Sequence, residues 1–147
     1  MTSRMDKTGK TVERACYLPL WDEATEEFHN AWLTYRVDNP FFVHLEIEDW
    51  PAAVVAPRAV LLDGLDMAAE CLSKPDRTGL RVRPAADNRN VLLGITQGDL
   101  LLGVFRCPAD LLATHLTGLY ELVQEGEEMD RIDWDSVIAD LLSRDRP

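Results

Sequence analysis

From Ala31 onward the apolar residues fall at alternate positions, Ala31, Leu33, Tyr35 and Val37, with Thr34 and Arg36 between them. That period of two predicts a strand buried on one side. Asp38-Asn39-Pro40 then breaks the run with residues suited to a turn. Alternation resumes with Phe41, Val43, Leu45 and Ile47 on one face and Phe42, His44, Glu46 and Glu48 on the other. Two such strands joined by a short turn predict an antiparallel hairpin. A second hairpin is predicted where Asn90 to Thr96 and Leu100 to Arg106 flank Gln97-Gly98-Asp99, and its apolar content suits a central place in a sheet. Leu80 to Pro84 predicts a short strand whose Arg81 and Arg83 share the outward face.

The period lengthens elsewhere. Pro57 and Gly64 punctuate a short helix expected over 57–63, and the segment from there to Pro75 has no clear pattern. Pro108-Ala109-Asp110 opens a long helix whose Leu111, Leu112, His115, Leu116, Leu119, Tyr120 and Val123 trace one face as far as Gly126. Asp133 is placed to cap a last helix carrying Trp134, Val137, Ile138, Leu141 and Leu142 in one stripe. The first expectation for that stripe is packing on the chain's own core, and the second is an amphipathic docking helix. Residues 1–20 show no periodicity and are expected to form a flexible arm ahead of a single domain over 21–147. Hairpins with helices kept to one side or end describe an α+β fold of antiparallel sheets.

The 147 residues suit one core. Uncharged apolar runs such as Leu100 to Phe105 fall far short of the roughly 20 residues that cross a bilayer, so no membrane insertion is expected. No apolar segment follows the first residues, which points to the cytoplasm. The net charge of -11 divides unevenly: +2 over 1–20, -7 over 21–50, zero over 51–120 and -6 over 121–147. Such an acidic chain repels polyphosphate and anionic lipid unless a local patch overrides the field. Lys74, Arg77, Arg81, Arg83 and Arg89 against Asp76 and Asp87 form one candidate patch, with a local net of +3.

Chemistry is sparse. Cys16, Cys71 and Cys107 form no CxxC pair and are expected to be reduced thiols. His29, His44 and His115 lie in no metal-binding frame; His44 and Glu46 share a strand face and suit a solvent-facing polar pair, while His115 suits a satisfied core or interface imidazole. No GxSxG, P-loop or triad order marks a nucleophile, so neither catalysis nor a cofactor is expected. Outward arginines on a sheet are one way to hold single-stranded nucleic acid, but no aromatic residue interleaves with Arg81 and Arg83 along the chain. Arginine is equally at home in protein interfaces.

Several segments taken in order resemble the SsgA-like family of sporulation and cell-division proteins. Leu33 to Val43 is similar to the family's L-x-Y…D-P-Y-A-V hairpin, and Arg58 to Leu65 to its R-x-L-L-x-x-G-L helix. Arg81 to Pro84, Tyr120 to Glu128 and Ile132 to Leu142 match later segments, so that the likeness covers roughly residues 30–142. Asn39, Phe42, Thr78-Gly79 and Gln124 depart from the family pattern, as in a divergent member. The resemblance implies two packed antiparallel sheets similar to Whirly-type domains and a tendency to form homo-oligomers, namely homotrimers. It also implies a non-enzymatic factor that localises division or peptidoglycan-remodelling machinery, in part through the tubulin-like protein FtsZ at septa. On this reading Arg58, Arg81, Arg83, Trp134, Ile138 and Leu141 are the expected contact residues, and single-stranded nucleic acid is the alternative ligand.

Overall fold

The computed structural model describes residues 2–65 and 79–144. Ten strands form two antiparallel five-stranded sheets. The first sheet has the order β1 (Thr2–Met5), β2 (Thr11–Tyr17), β5 (Ala31–Arg36), β6 (Phe42–Ile47) and β7 (Val54–Pro57). The second has the order β4 (Glu27–His29), β3 (Leu20–Asp22), β10 (Leu100–Pro108), β9 (Asn90–Gln97) and β8 (Leu80–Pro84). Among the described residues three α-helices accompany the sheets: α1 (Arg58–Leu65), α2 (Ala109–Leu122) and α3 (Trp134–Arg144), with a 3₁₀ turn at Glu128–Arg131 before the last. This is the expected α+β architecture.

Both predicted hairpins form. Leu33 pairs with Leu45 and Thr34 with His44, which puts Leu33, Tyr35, Val43 and Leu45 on the buried side. In the other hairpin Phe105 sits opposite Leu93, both inside, in the middle of the second sheet. The inner positions of both sheets and Leu112, Leu116 and Leu119 of α2 form one contiguous buried cluster.

The expected N-terminal arm is not an arm. Residues 2–5 and 11–17 are strands, β2 pairs along its length with β5, and Cys16, Leu18 and Leu20 are fully buried. The alternation was hidden because the inward position between Val12 and Cys16 is an arginine. Arg14 lies beside the inward Tyr35, and its Nη1 donates to the carbonyl of Gly118 on α2 at 3.1 Å. After Tyr17 the chain leaves the first sheet and enters the second at Leu20, with Pro19, which has no N–H to offer a ladder, at the crossing.

Two helix ends also differ from expectation. Gly64 lies inside α1 instead of ending it, because α1 packs so closely on β8 that a Cβ there would collide with the Val82 side chain and come within 2.8 Å of its carbonyl oxygen. Helix α2 stops at Leu122, four residues before Gly126, where the backbone of Val123 turns extended and buried. Among the described residues no helix is long and apolar enough to cross a membrane.

Candidate interaction surfaces

Arg58 opens α1 and was expected at a contact surface, yet it is 2% exposed. The preceding Pro57 ends β7 against Phe42, and this pairing aims the first side chain of α1 at the end of α2. The last carbonyls of any helix lack intrahelical donors and carry the negative end of its dipole. Here one guanidinium meets that end: Nη1 donates to Val123 O at 2.7 Å and, at 3.3 Å, to Leu119 O, which also accepts from the Val123 N–H. It also reaches Tyr35 Oη at 3.2 Å, while Nη2 donates to Glu128 Oε1 at 3.0 Å. The ring of Tyr120 lies 3.9 Å from the guanidinium carbon, within range of a cation–π contact. The Tyr35 hydroxyl in turn donates to Pro40 O in the first hairpin's turn, and the other oxygen of Glu128 accepts from the Gly126 amide. Burial pushes the Tyr35 phenol up to about 12, against the pull of Arg58. Its own backbone N–H and the Arg58 guanidinium hold Glu128 below the usual carboxylate range. Arg58 therefore joins a turn, two helices and the 3₁₀ turn, and is withdrawn from any partner.

Arg81 and Arg83 behave as the strand pattern predicts and face outward from β8. Register then gives them company that sequence spacing did not reveal. Arg83 is opposite Leu92, Leu92 opposite Arg106, Arg106 opposite Trp21, and Trp21 opposite Phe28, so these five side chains form one outward row across all five strands. A parallel row begins Arg81, Gly94, Val104. Trp21 and Phe28 meet edge to face at 4.8 Å, and Phe28 is 71% exposed. Arg106 is held by Glu23 at 2.6 Å and Asp87 at 3.5 Å, whereas Arg81 and Arg83 make no ion pair among the described residues. Trp21 and Phe28 were missed because their strands are only three residues long, too short to show a period. Of the predicted basic patch, Lys74, Asp76 and Arg77 lie outside the described residues.

Helix α3 is capped as expected, with Asp133 Oδ1 accepting from the Ser136 amide at 3.2 Å and Oδ2 from its hydroxyl at 2.7 Å. Its stripe does not enter the core, contrary to the first expectation. Trp134 is 45% and Leu142 61% exposed, with Val137, Ile138 and Leu141 exposed between them. The Trp134 indole is tied down, donating to Met129 O at 3.1 Å.

The remaining candidates are structural. His115 Nε2 lies 2.7 Å from Tyr17 O, so its imidazole is satisfied across the α2–β2 contact. His44 and Glu46 face outward on β6. The His29 Nε2 is 3.8 Å from Asp22 Oδ2 and makes no hydrogen bond. Cys16 and Cys107 are free and buried, which raises both thiols, Cys107 to about 12; Cys71 lies outside the described residues. A shallow groove of about 550 Å³ runs between α1 and α2, with Leu62, Leu65 and Tyr120 among its lining and Glu121 and Glu125 at its rim. Among the described residues no three His, Cys, Asp or Glu side chains gather as metal ligands.

No protein-family model and no curated protein matches this sequence. Solved structures do match its fold. One is an SsgA-like sporulation-specific cell division protein from Thermobifida fusca YX-ER1, with a TM-score of 0.65 and 24% identity over 88% of this chain and 94% of that one. Another is SsgB of Streptomyces coelicolor, a protein whose mutations correlate with longitudinal cell division during sporulation, with a TM-score of 0.64 and 20% identity over 89% of this chain and all of the other. This chain shares their fold.

Proposed function

We propose that this chain is a divergent SsgA-like factor that acts in cell division through protein–protein contacts and not through catalysis. The supporting observation is that its fold is similar, nearly from end to end, to two division proteins. Its surfaces agree with that reading: an unpacked apolar helix and an arginine-bearing sheet face are the parts of an adhesive, while the buried Arg58 is consumed by the fold. The partners are division or peptidoglycan-remodelling proteins of the FtsZ type, and copies of the chain itself, met in the cytoplasm at the septum. A fluorescently tagged copy in a sporulating or dividing cell should concentrate at septa and co-purify with division proteins. Uniform fluorescence with no division protein retained would overturn the reading.

One observation favours the nucleic-acid alternative, namely that Trp21 and Phe28 stand in the same row as Arg83 and Arg106. Against it stand the net charge of -11 and the engagement of Arg106 by two carboxylates.

A further inference from the structure

The chain carries two unfinished surfaces that fit each other. Helix α3 presents an apolar stripe on a strongly acidic segment: residues 121–144 hold eight carboxylates against two arginines, a net of -6. An isolated helix of 11 residues is marginal in water, so α3 needs something to lie on. The outer face of the second sheet offers arginines and apolar side chains in line: Arg81 and Arg83 on its β8 edge, Leu92 and Val104 in the middle, and Trp21 and Phe28 toward the other edge, with Arg106, held by Glu23 and Asp87, between Leu92 and Trp21.

The lengths agree as well. Eleven helical residues span roughly 16 Å, and a row across five strands spans roughly 19 Å. Both surfaces are exposed in the same molecule, and Arg81 and Arg83 have no carboxylate partner of their own among the described residues. We infer that α3 of one copy docks on the outer face of the second sheet of another copy, its stripe on the Leu92–Trp21–Phe28 row and its Asp133 and Asp135 end toward Arg81 and Arg83. Because the two patches differ, the contact is heterologous, and each copy offers one of each. This deepens the self-association part of the proposed function and rests on it.

The full chain should self-associate with a micromolar Kd that weakens as salt rises. The test uses sedimentation at matched concentration, with circular dichroism as a check that each variant is folded. Two double variants are needed: Arg81→Glu with Arg83→Glu, which breaks the sheet face, and Ile138→Asp with Leu141→Asp, which breaks the helix. Each alone should lose association by at least tenfold. Mixed together they should recover a one-to-one complex, because the intact helix of the first meets the intact face of the second. A wild-type chain that stays monomeric would overturn both this inference and the self-association part of the functional reading. Association that survives both double variants, or a mixture that fails to recover, would overturn the inference alone. A single-stranded oligonucleotide that displaces the self-contact and loses affinity with the arginine reversal would hand the face to nucleic acid and overturn it too.

Discussion

Arg58 and the pair Arg81 and Arg83 share one side chain and live in opposite circumstances. Arg58 is surrounded: its two terminal nitrogens meet two carbonyls, a hydroxyl and a carboxylate, and a ring lies against its guanidinium carbon. Arg81 and Arg83 face outward from a sheet edge with no ion pair among the described residues. A buried charge is tolerated only when its hydrogen bonds are complete, and removing it strands the partners it served. An exposed charge does almost nothing for the fold and is free to act on another molecule. The difference separates a region that holds the molecule together from one that it presents.

The sharpest way to break that contrast is Arg58→Met. It leaves Val123 O and Glu128 Oε1 without the donor they share, and should destabilise the chain by about 3–5 kcal/mol in denaturant unfolding. Arg58→Lys should not restore most of this, since one ammonium cannot fork between the α2 carbonyls and Glu128. A loss as small as that of a surface substitution would mean that the network is incidental.

A smaller effect is expected from Glu128→Gln, and its pH dependence carries the sign. In the folded chain the Glu128 carboxyl is held below its ordinary range, so its ionised form favours folding above the unfolded value, and that contribution is lost as pH falls through the folded value. Unfolding curves should therefore separate wild type from Glu128→Gln at neutral pH and bring them together in acid. A gap that stays constant with pH would show that the carboxylate's charge is not what counts.

The smallest effect belongs to the exposed pair. Arg81→Glu with Arg83→Glu should leave unfolding stability within about 0.5 kcal/mol of wild type. A large loss would place these arginines in the fold and dissolve the contrast with Arg58.

Much of this molecule is legible along the chain. The two apolar hairpins, the strand bearing Arg81 and Arg83, the long helix and the capped terminal helix all follow from periods of two or 3.6 with ordinary turn and cap residues between them. The first strands escaped because Arg14 occupies an inward place, and β3 and β4 because three residues show no period. The sites were less legible still. Arg58, Arg81 and Arg83 look alike in the sequence, and nothing local says that one will meet the end of a helix 61 residues away while the others meet solvent.

Local pattern was enough to assign the longer periodic segments their elements and their side chains a face, because those depend on the few residues around them. Which surfaces meet was settled by long-range pairing: the register that aligns Trp21 and Phe28 with Arg83, the approach of α1 to the end of α2, and the failure of α3 to reach the core. Those outcomes depend on how two sheets, α1 and α2 share one buried volume, and no stretch of a dozen residues carries that information.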